Sequence, residues 1–161
     1  MPAIPTQFRI KQVEPQRFFA QRRTTTFDAL PATLNETFER VWNRLNQEPS
    51  VTVGPAIVRY LHMGATLELE AGFPVLEELP GDNEGGIVTL PGGRAATALY
   101  HGRYDYLYNA HQALGDWMRE QGLQSTGQPW EIYWVDPSQA RDPSDLRTEI
   151  VALIDESSDA S

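Results

Sequence analysis

The sequence GQPWEIY at residues 127–133 has a counterpart earlier in the chain, GPAIVRY at residues 54–60, and both run from a glycine to a tyrosine. The two copies are 73 positions apart (127 − 54 = 73). Farther downstream the offset grows to 79, which places Glu70 opposite Glu149 (149 − 70 = 79). Similarity at a nearly fixed offset is typical of a duplicated structural unit. We therefore interpret the chain as two copies of one module.

Each copy has the pattern strand, helix, strand, strand. The first helix is predicted within LPATLNETFERVWNRLN, where Thr33 and Glu36 match a capping box. The second helix carries an apolar stripe at helical spacing that Gly122 can end. We expect an α+β fold of tandem duplicated strand–helix–strand–strand modules, with antiparallel sheets and two helices on one side. A ligand cleft is expected between the modules, because such clefts are common ligand sites.

The composition of the connecting segments predicts the domain boundaries. An acidic stretch rich in Gly and Pro separates the two copies and is interpreted as a linker. The segment QFRIKQV is predicted to be an extra N-terminal strand that pairs with FFAQRR. The expected organisation is a single domain over residues 1–156, with module one at about 7–75, the linker at 76–92, module two at about 93–154 and a disordered tail at 157–161.

The bulk composition excludes several classes of function. The chain has 161 residues, a net charge of −9 and no cysteine. An acidic chain argues against nucleic-acid binding, and the lack of cysteine excludes disulfides and thiolate metal sites. No signal segment or membrane-length apolar run is present, so a cytoplasmic location is expected and no membrane contact. The three histidines (His62, His101 and His111) lack a metal-binding spacing, and we expect neither a metal nor a cofactor.

Glu131 is the residue that most needs an explanation, because it lies in the aromatic strand PWEIYWVDP. Strand alternation gives Trp130, Ile132 and Trp134 one face, which we assign to the helices. The other face then carries Glu131 and Tyr133. Glu149 and Tyr60, which belong to other strands, are assigned to the same face. A buried carboxylate is costly without a partner. Structural partners for it would be Arg59, Arg147 or a tyrosine hydroxyl, and His111 is interpreted as a core residue of the second helix.

The chain resembles the GyrI-like small-molecule-binding domains, which are the effector-binding domains of AraC- and MerR-type bacterial transcription activators. The resemblance covers essentially the whole chain. It is carried by FRIKQVEPQRFFAQRR, GPAIVRY, EAGFPV, GGRAATALYHGRYDYLYNAHQALGDWM, PWEIYWVDP and LRTEIVALI. It implies a tandem fold around a central cleft. In its multidrug-responsive members, a glutamate at the position of Glu131 attracts lipophilic cations, and a second acid lies at the position of Glu149.

This resemblance and the residue pattern together lead to three competing functions. The first is a stand-alone effector or multidrug-binding module for small amphipathic, cationic molecules. Its expected ligand-binding residues are Glu131, Glu149, Tyr60, Tyr133 and Tyr104. The second is a hydrolase of electrophilic cyclopropane-type toxins, with Glu131 as general base and Tyr133 or Tyr60 as proton donor. The third is a protein-interaction domain similar to the gyrase inhibitors of the family, with an unknown protein partner. None of the three involves direct contact with nucleic acid.

Overall fold

The structure is a computed structural model that describes residues 6–103, 107–135, 141–142 and 145–155. These residues form eight strands and two helices, and the α+β class expected from the sequence is confirmed. The strands are β1 (Thr6–Val13), β2 (Gln16–Thr25), β3 (Ile57–Met63), β4 (Leu67–Pro74), β5 (Gly86–Leu90), β6 (Gly93–His101), β7 (Trp130–Tyr133) and β8 (Arg147–Leu153). The helices are α1 (Leu30–Leu45) and α2 (Leu107–Glu120).

These elements form two compact units, each with four antiparallel strands and one helix. The first, which we call the Glu149 unit, holds β1, β6, α2, β7 and β8, with neighbouring strands in the order β1-β6-β8-β7. The second, the Glu70 unit, holds β2, α1, β3, β4 and β5, with neighbouring strands in the order β5-β2-β4-β3. The two units therefore have the same internal plan.

The pairing register also recurs between the units. In the Glu70 unit, β3 and β4 pair from Ile57↔Gly72 to Tyr60↔Leu69. In the Glu149 unit, β7 and β8 pair from Trp130↔Val151 to Tyr133↔Thr148. The β3 positions are shifted by 73 and the β4 positions by 79 (130 − 57 and 151 − 72), which are the two offsets read from the sequence. This agreement is consistent with the predicted duplication.

The expected pairing of the N-terminal strand is wrong. β1 pairs with β6 along its whole length, from Thr6↔Tyr100 to Val13↔Gly93. β2 instead pairs with β4 on one side and with β5 on the other. β5 lies inside the segment 76–92 that we interpreted as a linker, because the surrounding Gly, Pro and acidic residues obscure the short β-forming run GIVTL. Thus β1 completes the Glu149 unit in the way that β5 completes the Glu70 unit. The predicted tail at 157–161 lies outside the described residues.

The first helix begins earlier than the capping-box pattern indicates. α1 starts at Leu30 with Pro31 in its first turn, and its N-cap, Ala29, makes no side-chain capping bond. Proline is favoured there because the first N–H groups of a helix need no partner within it. Thr33 therefore lies inside the helix, where its hydroxyl oxygen is 2.8 Å from that of Thr25.

The second helix ends as predicted. Gly122 adopts a φ of 72° directly after it, and the Leu123 amide donates to the Met118 carbonyl at 2.9 Å. Left-handed glycine at this position is a common helix stop. In the described part of the chain, neither helix has the length and apolar character needed to cross a membrane.

Each helix covers one face of the strands in its own unit, and this arrangement decides where the acidic side chains lie. In the Glu149 unit, α2 forms a core with alternate residues of β6 and β8, among them Ala98 and Ile150. In the Glu70 unit, α1 packs against Phe19, and Phe38 of the helix contacts Phe73 of β4. Residues that pair directly across these strands share a face with those core residues.

Candidate functional site

Glu131 lies on the sheet face that α2 covers, so the assignment of faces made from the sequence is wrong. Glu131 pairs directly with Ile150, and Ile150 belongs to the core beneath α2. Trp130 and Ile132 consequently lie on the face directed away from the helix. The expectation that apolar side chains take the helix face fails because the Glu131 carboxyl finds polar partners there.

Those partners are Tyr133 and His111. The Tyr133 hydroxyl donates to Glu131 Oε1 at 2.5 Å, and His111 Nε2 lies 2.6 Å from Oε2. Glu131 is 1% exposed. Of the structural partners considered from the sequence, the tyrosine hydroxyl is the one observed. His111 is not simply a core residue, since it reaches from α2 to the buried carboxyl. Both oxygens of Glu131 are thus held by side chains of the same unit.

Glu149 lies on the opposite face of the same sheet. Its cross-strand neighbours are Leu99 on β6 and Ile132 on β7, both half-buried. Its Oε2 atom is 2.5 Å from Lys11 Nζ, and its Oε1 atom accepts a hydrogen bond of 3.1 Å from Trp134 Nε1. The prediction that Glu131 and Glu149 share a face is therefore wrong.

The side chains around Glu149 differ sharply in exposure. Glu149 itself is 7% exposed, whereas Trp134 is 50% exposed. The Lys11 side chain is 44% exposed. A carboxylate shielded from water thus has two contacts that extend into solvent. Because attraction between charges strengthens as water is excluded, this carboxylate is a favourable partner for a cation with an apolar body.

Tyr60, another tyrosine predicted to bind ligand, lies on the helix-covered face of its own unit. Tyr60 belongs to the Glu70 unit and pairs with Leu69. Leu69 also pairs with Arg23, whose guanidinium donates to Thr37 of α1, so Tyr60 lies on the helix face of its sheet. The sequence assigned it to the opposite face, which is wrong. Tyr104 lies outside the described residues.

Glu70 is the counterpart of Glu149 in the repeat, and it also lies on the face away from its helix. Its Oε1 atom is 3.6 Å from Arg59 Nη1, too far for a hydrogen bond. Burial raises the pKa of Glu70 above its ordinary value of 4.5, and the nearby charges of Arg59 and Arg22 oppose that rise. The two units therefore place an acid at equivalent positions but pair it with different cations.

Sequence reasoning missed two contacts of this candidate site, those of Lys11 and Trp134 with Glu149. The sequence did offer a hint of the Lys11 contact, because Lys11 is the only lysine in the chain. Trp134 was assigned to a helix-facing core. It follows β7 directly, and its amide donates to the Arg147 carbonyl at 2.9 Å, which continues the pairing and leaves the indole beside Glu149.

The chain belongs to the GyrI-like family, because the model of the GyrI-like small molecule binding domain matches residues 6–154. The resemblance seen in the sequence is thereby confirmed. The protein is a small-molecule-binding domain of this class. No curated protein sequence matches it.

Solved structures share the fold at low sequence identity. The C-terminal domain of EcmrR superimposes with a TM-score of 0.80 at 19% identity, over 93% of this chain and 98% of that domain. A protein described as a hydrolase from Listeria innocua gives a TM-score of 0.60 at 13% identity, over 95% and 94% of the two chains. SAV2435, solved bound to tetraphenylphosphonium, gives 0.62 at 8% identity, over 93% and 94%.

Proposed function

We propose that this domain binds small lipophilic cations on the face of the Glu149-unit strands directed away from α2, with Glu149 as the charge partner. The observation that carries the proposal is a carboxylate that is only 7% exposed and lies between the apolar neighbours Leu99 and Ile132. A cation that carries apolar groups would gain both charge pairing and burial of apolar area at such a place.

Trp134 supports the same class of ligand. Its indole is half-exposed and already contacts Glu149 through Nε1. An aromatic face beside a carboxylate attracts organic cations through the ring quadrupole, and it does so without requiring one particular shape. Recognition by charge and aromatic contact favours a range of ligands over a single one. This is the behaviour expected of a multidrug-binding module.

Glu131 is the weaker candidate for the charge partner. A ligand that reached it would have to displace both Tyr133 and His111 from a carboxyl that is 1% exposed. The same contacts argue against Glu131 as the general base of a hydrolase, because a base must reach the water molecule that it activates. We therefore assign Glu131 a structural role and favour binding over hydrolysis.

The test is a calorimetric titration with tetraphenylphosphonium, with neutral triphenylphosphine oxide as the matched probe. We expect the wild-type chain to bind the cation with a micromolar Kd, and Glu149→Gln to bind it about tenfold more weakly, which corresponds to about 1.4 kcal/mol. Glu120→Gln is the matched control, because it removes one negative charge from an exposed position at the end of α2.

Two results would overturn the proposal. One is equal affinity for the cation and the neutral probe. The other is an affinity for tetraphenylphosphonium that Glu149→Gln and Glu120→Gln leave equally unchanged.

A further inference from the structure

Lys11 occupies the position that a bound cation would need. Its Nζ atom is 2.5 Å from Glu149 Oε2, although Lys11 extends from β1 and its pairing partner is Ala95 rather than a neighbour of Glu149. The side chain reaches along the sheet to the acid and remains 44% exposed. It is also the single lysine among thirteen basic residues, the other twelve being arginines (13 − 1 = 12).

The type of residue matters for this contact. An arginine can hold a carboxylate through two parallel hydrogen bonds, whereas a lysine offers one compact charge on a flexible stem. A half-exposed ammonium group is readily hydrated when it leaves the carboxylate, so the cost of breaking this contact falls mainly on the buried Glu149 carboxylate, which then needs another cation. Lys11 thus neutralises Glu149 without fixing it permanently.

We infer that Lys11 is an internal competitor that determines which ligands the Glu149 site accepts. This inference rests on the function proposed above. A neutral ligand that displaced Lys11 would leave Glu149 without a cation, so neutral compounds are rejected. A small hydrated cation gains little over a tethered ammonium group, whose effective concentration is of millimolar order. Only a cation that also buries apolar surface displaces it, which narrows the ligand class to lipophilic cations.

Calorimetric titrations on single and double variants test this directly. We expect Lys11→Met to bind tetraphenylphosphonium about tenfold more tightly than the wild type, and to bind tetramethylammonium measurably where the wild type does not. Arg9→Met is the matched control. Arg9 lies two positions away on the same strand and sheet face, is exposed and pairs with Thr97, so its removal takes one positive charge from that face while leaving the contact between Lys11 and Glu149 in place.

The double variant separates competition at Glu149 from any other effect of the lysine. If Lys11 acts through Glu149, the gain from Lys11→Met disappears in the Glu149→Gln background. A gain of the same size in that background would overturn the inference, as would a gain from Arg9→Met equal to that from Lys11→Met. If Glu149→Gln weakens binding but Lys11→Met does not strengthen it, the proposed function stands and the inference fails.

A chemical readout uses the fact that Lys11 is the only lysine. Acylation by an amine-reactive reagent, with the modified peptide identified by mass spectrometry, distinguishes this residue from the N-terminal amine. Saturating tetraphenylphosphonium should increase the acylation rate of Lys11 several-fold, because the released amine loses its carboxylate partner. An unchanged or reduced rate at saturation would contradict displacement.

Discussion

Glu131 and Glu149 lie on neighbouring strands of one sheet, and each is almost completely buried, yet their surroundings differ in kind. Glu131 is held by Tyr133 and His111 on the face that α2 covers. Glu149 is held by Lys11 and Trp134, whose side chains both extend into solvent. Burial alone therefore does not separate the acid that we propose binds a ligand from the acid that we propose is structural. What distinguishes the two is the exposure of the partners of Glu149.

The largest effect should come from removing the structural acid. Glu131→Ala opens a cavity and removes the shared partner of Tyr133 and His111, and we expect it to lower the free energy of unfolding by about 2–5 kcal/mol. Glu120→Ala, at an exposed position, should change it by less than about 0.5 kcal/mol. Urea denaturation measures both. A loss from Glu131→Ala no greater than that from the control would end the structural interpretation of Glu131.

A smaller loss of stability is expected when one partner of Glu131 is removed. Tyr133→Phe keeps the ring but deletes the hydroxyl that donates to Oε1, and should cost about 1–3 kcal/mol. Urea denaturation of the variant and the wild type measures this cost. Equal stabilities of the two chains would mean that the hydrogen bond to Glu131 carries no net energy.

On the opposite face, changes should affect binding more than stability. Trp134→Phe retains an aromatic ring beside Glu149, whereas Trp134→Ala removes it. We expect the alanine variant to bind tetraphenylphosphonium more weakly than the phenylalanine variant by about 0.5–1 kcal/mol. Titration calorimetry gives the difference. If the two variants bind equally well, the indole contributes no aromatic contact to the ligand.

The smallest effect concerns Glu70, the counterpart of Glu149 in the other unit. Burial raises its pKa above 4.5, so the folded chain binds the proton more tightly than the unfolded chain does. Stability from this group therefore falls as the pH rises from about 4.5 through the folded pKa. Glu70→Gln should remove that fall and gain a fraction of a kcal/mol relative to wild type between pH 4.5 and 7.

Urea denaturation at about pH 4.5 and at about pH 7 measures the stability of Glu70→Gln relative to the wild type. Exposed Glu39→Gln on α1 serves as the control for net charge. A variant whose stability relative to wild type is the same at both pH values would contradict the raised pKa.

Much of the fold could be predicted from the sequence, because strands and helices follow local periodicity. The repeat offsets of 73 and 79 match the register of both strand pairs, and Gly122 ends α2 as expected. The partner of β1 could not be predicted, since β6 lies some eighty residues away (93 − 13 = 80) and the nearer β2 offers an equally plausible hairpin. Local patterns carry no information about such a choice.

The candidate site was predicted only in part, because it too depends on contacts between residues far apart in the sequence. Alternation correctly separated Trp130 from Glu131, but it does not state which face a helix covers. We placed the apolar side chains beneath the helix, whereas His111 makes burial of Glu131 on that face acceptable. Contacts of Lys11 and Trp134 with Glu149 depend on long side chains that reach across strands, and spacing in the sequence does not reveal them.

The most direct test of this account compares Glu149→Gln with Glu131→Gln in one experiment, by titrating both with tetraphenylphosphonium and measuring their stability to urea. Glu149→Gln should lose about tenfold in affinity while its stability changes by less than about 1 kcal/mol. Folded Glu131→Gln should bind like the wild type but be less stable by about 1–3 kcal/mol. The reverse result, with binding lost in Glu131→Gln and kept in Glu149→Gln, would contradict this account.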